Sequence, residues 1–138
     1  RPSSRAFVER NNAGAAYIYL NYGVHWMLNI LVKGKETGFV LFRALEPCRG
    51  VPLMKKRRGL DNPRQLCSGP GKLTQALSIT MRHHEMDLCS DPRHCFVARP
   101  DSEVSVVADP RVGITRSAHL PWRFTLADSP FVSRAPRV

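Results

Sequence analysis

The sequence predicts an α+β fold: a single domain over residues 1–138, built mainly on an antiparallel curved sheet with a few short helices. Three observations carry this. Short runs of aromatic and branched residues alternate with turn-forming clusters, one stretch after Pro70 repeats apolar residues at helical spacing, and 138 residues suffice for one continuous core but not two.

Residues 1–14 are polar and read as an irregular lead-in segment. Ala15-Ala16-Tyr17-Ile18-Tyr19-Leu20 then has strand composition, Gly23 interrupts it, and His25 to Val32 resumes as a second apolar stretch. Lys33 to Gly38 is a turn by composition, and Phe39 to Leu45 reads as a returning strand that completes a hairpin. Pro47 ends that strand, and Val51 to Arg58 is expected to form a short helix. A better-signalled helix starts at Pro70, a residue favoured in a first helical turn, and continues through Leu73, Ala76 and Leu77. Asp91-Pro92 and Arg99-Pro100-Asp101 mark loops. Val104 to Ala108, Arg111 to Thr115 and Trp122 to Leu126 read as further short strands.

Charge points to a partner. Lys and Arg number 21 against 11 acids, a formal charge of +10 with a pI of about 10.2. That excess on a small domain is more than solubility asks for and implies a polyanion. Arg43 to Lys72 holds eight basic residues against Glu46 and Asp61, with Lys55-Lys56-Arg57-Arg58 the densest run. Such a run is either a solvated helix face or a phosphate clamp, and in this setting phosphate contact is favoured. No apolar run approaches the ~20 residues of a membrane span. The chain is large enough to do without disulfides and shows no signal peptide, so Cys48, Cys67, Cys89 and Cys95 are expected to be reduced in an intracellular protein.

Several chemistries fail on inspection. Gly69-Pro70-Gly71-Lys72 resembles part of a Walker A loop, but Leu66 stands where its first Gly belongs and Leu73 replaces the Ser or Thr. What remains is a glycine-rich helix start followed by Lys72, suited either to holding one phosphate or to simple capping. Met81 to Cys89, with His94 and Cys95, contains metal-ligand residue types, yet Cys89 and Cys95 are too far apart for the familiar zinc pair, so the segment reads as a polar surface loop. HExxH and GxSxG are absent.

Tyr17 to Asn29 is the most informative stretch. Trp26 sits at an alternating strand position and reads as core. Tyr22 before Gly23 is different, because a glycine bend there pushes a large side chain outward, where it can stack on bases or wedge into a duplex. Asn29 and Arg43 lie on the two arms of the proposed hairpin and face each other if paired residue numbers sum to 72, but not if they sum to 71. An Asn beside an Arg can read a base edge and hold a nearby phosphate; the alternative is a buried Asn satisfied by backbone and a surface Arg.

Four segments in order, Tyr22-Gly-Val-His-Trp-Met-Leu-Asn29, Arg43-Ala-Leu-Glu-Pro47, Leu66-Cys-Ser-Gly-Pro-Gly-Lys-Leu73 and Ser129-Pro-Phe-Val-Ser133, resemble the alkyladenine (3-methyladenine) DNA glycosylases. The resemblance runs from about Tyr17 to Ser133. It implies a monofunctional DNA-repair hydrolase that removes alkylated or deaminated purines without metal or organic cofactor, acting as a monomer on double-stranded DNA containing a damaged purine. Such an enzyme extrudes its target nucleotide into a pocket. By motif, Tyr22 resembles the intercalating residue, Asn29 the pocket residue that discriminates purines, Tyr19 a stacking wall and Arg43 a pocket or phosphate contact. Lys55, Lys56, Arg57, Arg58 and Lys72 are then expected to hold the duplex backbone. The implied location is the cytoplasm and nucleoid in a bacterium, or the nucleus in a eukaryote.

One departure from the family pattern stands out. Its general base is a Glu in a Glu-Thr-Glu-Ala-Tyr motif upstream of the Tyr-Gly segment, and no residue here matches it. Glu9 lies in Phe-Val-Glu-Arg-Asn, and Glu46 belongs to the Arg-Ala-Leu-Glu-Pro motif and reads as structural. Hydrolysis needs a carboxylate to activate water. The chain begins at Arg1, just after the point where that motif would end, so it is expected to be the body of a glycosylase lacking its N-terminal catalytic piece. The alternatives are a non-catalytic lesion-binding protein and a basic RNA-binding module.

Overall fold

A computed structural model describes residues 2–97 and 103–132; the Arg99-Pro100-Asp101 loop and Ser133 lie outside them. The elements are α1 (Pro2–Arg10), β1 (Ala16–Asn21), β2 (His25–Lys33), β3 (Thr37–Leu41), α2 (Val51–Arg58), α3 (Pro63–Leu66), α4 (Pro70–Leu77), β4 (Val106–Asp109) and β5 (Arg123–Leu126). Helices and antiparallel strands are mixed, as the sequence predicts: β1-β2-β3 form one sheet and β4-β5 a second.

Side-chain alternation gives the first sheet two different faces. Ala16, Ile18 and Leu28 point to one side and join Leu66, Leu73, Ala76 and Ile79, with Trp26 and Ile30 packed against them. Thr74 of α4, itself buried, donates its hydroxyl to the Trp26 carbonyl at 2.9 Å and fixes the helix to β2. Tyr17 and Leu31 face the other way, onto Phe7 of α1, with Tyr19 and Phe39 beside them. The free edge of β1 is covered by residues 84–88. Ala16 N–H donates to the Met86 carbonyl at 2.8 Å, and Ile18 N–H donates to His84 Nδ1 at 3.0 Å. An open edge that invites another strand is thereby closed.

The structure corrects three sequence expectations. Residues 1–14 are not irregular, because Pro2–Arg10 is helical. The helix opens on Pro2 and holds the helix formers Arg5, Ala6 and Glu9, and tertiary contact secures it, with the buried Phe7 ring 4.9 Å from both Tyr17 and His84. Burying that ring stabilises by about 2–3 kcal/mol, enough to hold a helix of nine residues that is too short to be stable by itself. The side chain of Asn11 closes the helix by donating to the Phe7 carbonyl. Second, β3 stops at Leu41 rather than Leu45. Phe42 N–H still bonds Leu28, but Leu45 N–H turns away to the Cys67 carbonyl at 3.1 Å, drawing the chain off the sheet. Third, Arg111 to Thr115 is a turn region, not a strand. The helices over 51–58 and 70–77 form where the sequence places them. Among the described residues no helix is long and apolar enough to cross a membrane, and none of the four cysteines is disulfide-bonded.

Candidate nucleic-acid interface

Asn21 to Val24 make a tight turn with φ 50° at Tyr22 and φ 70° at Gly23, closed by Val24 N–H to the Asn21 carbonyl at 3.1 Å. Two consecutive positive φ values are the type I′ arrangement, whose twist suits a hairpin. Gly23 takes it without cost, whereas an aromatic residue in this region carries strain on the order of 1–3 kcal/mol. Tyr22 nevertheless occupies it, 91% exposed, with Val24 69% exposed beside it. The tip is an apolar projection that its own fold leaves uncovered.

The start of α4 braces this tip. A Cβ on Gly71 would lie 2.9 Å from both Cβ and Cγ of His25, so only glycine lets the helix backbone reach the base of the hairpin. Lys72 follows on the exposed side of that turn, its Nζ 3.4 Å from Ser68 Oγ. A groove of about 380 Å³ runs between Val24, His25 and Trp26 on one side and Gly71, Gln75 and Ser78 on the other.

Tyr19 and Asn29 lie on the α1 face of the sheet. Tyr19 pairs with Met27 and Asn29 with Tyr17, so the two residues share that face two positions apart along the β1–β2 ladder. Asn29 is buried and its amide donates to the Tyr17 carbonyl at 3.1 Å. Tyr19 is half-buried, its ring 5.9 Å from that of Tyr17. Arg43 is not opposite Asn29. The β2–β3 register pairs Asn29 with Leu41, a sum of 70 rather than 72, and Arg43 lies beyond the end of β3. It is exposed on a separate cleft of about 430 Å³, whose walls include Phe42, Glu46, Phe124 and Phe131. Tyr19 and Asn29 thus share one face, and Arg43 lies past the end of β3 instead of directly opposite Asn29.

The dense basic run is largely engaged by the protein itself. Arg57 donates to the Ala76 carbonyl at 2.9 Å, near the C-terminal end of α4, and Arg58 donates to the Gln75 side chain. Gln75 returns a bond to the Arg57 carbonyl, and Lys55 pairs with Asp61 at 3.6 Å. Lys56 is exposed. The run therefore joins α2 to α4 while it charges the surface.

The 81–95 segment opens with a short 3-10 turn, Met81–His83, and continues as a loop. Glu85 accepts from Asn11 and pairs with Arg10 at 3.1 Å, contacts that hold its carboxyl below the ordinary range, with the Asn11 bond the largest cause. Asp87 is lowered chiefly by the Ser90 hydroxyl, and Asp91 by the Arg93 backbone N–H. Cys67 is pushed up by burial. Among the described residues no three His, Cys, Asp or Glu side chains gather as metal ligands.

The family model for methylpurine-DNA glycosylase matches residues 3–130. The chain belongs to the methylpurine-DNA glycosylase family. A protein of Rhodopseudomonas palustris, provisionally named a 3-methyladenine DNA glycosylase, is 46% identical over 134 residues, covering 96% of this chain and 64% of its own length. A relative in Nitrobacter winogradskyi with the same provisional name is 43% identical over 134 residues, 96% of this chain and 64% of its own. One in Nitrosospira multiformis is 47% identical over 120 residues, 86% of this chain and 61% of its own. The chain spans less than two thirds of the length of these relatives.

Two features of this family member were not legible as site features in its sequence. The contact between Gly71 and His25 joins segments 46 positions apart (71 minus 25), which spacing cannot reveal. The cleft beside Arg43 needs β5 and Phe131 to meet the exit of β3; the aromatic residues themselves were its only signal.

Proposed function

We propose that this member of the methylpurine-DNA glycosylase family serves DNA repair by turning out an alkylated or deaminated purine, of the 3-methyladenine or hypoxanthine type, and hydrolysing its N-glycosidic bond. The reading is of a monofunctional enzyme without metal or organic cofactor, a monomer on double-stranded DNA in the bacterial cytoplasm and nucleoid. The observation that carries it is Tyr22: an aromatic side chain 91% exposed, at positive φ, on the tip of a braced hairpin in a chain of charge +10. An exposed, strained aromatic has no use to the fold. It suits the gap left in a duplex when a nucleotide leaves the stack, an arrangement repaid by stacking of about 1–3 kcal/mol per base.

Tyr19 and Asn29 are proposed as pocket residues, with Asn29 oriented by its bond to Tyr17. Arg43 is proposed to contact a phosphate or the pocket mouth, and Lys55, Lys56, Arg57, Arg58 and Lys72 to neutralise phosphates. No residue among 1–138 is assigned as general base. The proposal is tested by titrating the chain with a hypoxanthine-containing duplex, the matching undamaged duplex and an RNA of the same sequence. Preference for the lesion duplex is expected; equal binding to all three overturns the repair reading in favour of a general basic module. Abasic sites formed by this chain alone would overturn the statement that it holds no general base.

A further inference from the structure

The strands that meet at Tyr22 divide two surfaces of unlike chemistry. On the α1 face lie Tyr19 and the buried Asn29. On the α4 side lies the groove between Val24–Trp26 and Gly71–Ser78, and none of its lining residues is acidic. Gln75 on its wall accepts from Arg58 and donates to the Arg57 carbonyl, so the basic end of α2 is tied to that wall. His25, exposed and pressed against Gly71, forms part of the opposite wall. The hairpin tip, the groove and the basic run are therefore contiguous, although they come from three separate stretches of sequence.

We propose that this groove holds the phosphodiester backbone of the undamaged strand, the one opposite the extruded nucleotide. The inference rests on the reading of Tyr22 as the wedge. A tip inserted between base pairs leaves one strand on each side of the sheet. If the flipped nucleotide goes to the Tyr19 and Asn29 face, its partner strand is left on the α4 side. There the lining holds His25, Thr74, Gln75, Ser78 and Thr80 and no carboxylate, and Gln75 ties it to Arg57 and Arg58 at the end of α2. Phosphates on that path gain cationic neighbours without facing an acidic side chain.

Ser78 offers a clean probe because it lines the groove at φ 59°, a conformation that Asn and Asp tolerate. Ser78→Asp places a carboxylate in the groove, and Ser78→Asn is the neutral control of the same shape. Binding is measured to the hypoxanthine duplex and to the lesion strand alone. The Asp variant is expected to bind the duplex about tenfold more weakly than the Asn variant, from like-charge repulsion, with binding to the single strand changed less than about twofold. Hydroxyl-radical footprinting of the unsubstituted chain is expected to protect the undamaged strand opposite the lesion, a readout that needs no variant to fold. Equal weakening on duplex and single strand, no weakening on either, or protection confined to the lesion strand overturns the proposal. If the unsubstituted chain shows no lesion preference, the wedge reading fails first; if the preference stands and the Ser78 pair behaves alike, only the groove assignment fails.

Discussion

Two regions of this molecule look equally suited to DNA in the sequence, and the structure treats them in opposite ways. The tip is largely exposed at Tyr22 and Val24, with Tyr22 held at positive φ. The run Lys55 to Arg58 is richer in charge, yet Arg57 and Arg58 bond α4 and Lys55 pairs with Asp61. Charge density in a sequence thus marks a surface without saying whether its cations are available. Conformational strain on an exposed aromatic is the more specific sign, because the fold gains nothing from it.

Substitutions can separate the two regions. The largest effect is expected at the tip: Tyr22→Gly should reduce affinity for a lesion duplex by about 10- to 100-fold, from lost stacking. Removing the same residue relieves positive-φ strain, so thermal melting should show a midpoint unchanged or raised. Gly71→Ala should lower stability by about 1–3 kcal/mol in urea titration, because the new methyl group overlaps His25. Arg57→Ala, in the second region, should cost about 1 kcal/mol in the same titration through the lost bond to the Ala76 carbonyl. Lys56→Ala should leave stability within about 0.5 kcal/mol and reduce the slope of log affinity against log salt by about 1.

A smaller effect concerns pH. Glu85, Asp87 and Asp91 all titrate below their ordinary values in the fold, through bonds from Asn11, Ser90 and the Arg93 backbone. A carboxyl lowered by folding contributes stability above its unfolded pKa, of about 4, and loses it as pH falls through the folded value. The melting midpoint should therefore drop as pH is taken below about 4, and Glu85→Gln should make that drop shallower.

Alternation made β1 and β2 legible, since Tyr17 to Leu20 and His25 to Val32 carry their own strand signal, and Pro70 with Leu73 and Ala76 announced α4. Helix α1 was hidden because Phe7 is its main anchor and the anchor's partners, Tyr17 and His84, lie far along the chain. In the candidate site, Tyr22 was legible because the glycine beside it dictates a turn. The offset of Arg43 from the position opposite Asn29 was not: it depends on a register of 70 and on the bond from Leu45 to Cys67, which draws the chain off the sheet after Phe42. Nothing local to Arg43 records that bond.

The most direct test of the account compares Tyr22→Gly with the unsubstituted chain on matched duplexes with and without hypoxanthine, with the melting midpoint of each protein measured in parallel. A wedge that fills the vacated stack should show as affinity lost on the lesion duplex alone, with binding to undamaged DNA retained and the midpoint not lowered. Equal loss on both duplexes, or lesion binding that survives the substitution, would contradict the assignment of Tyr22 and with it the reading of this surface.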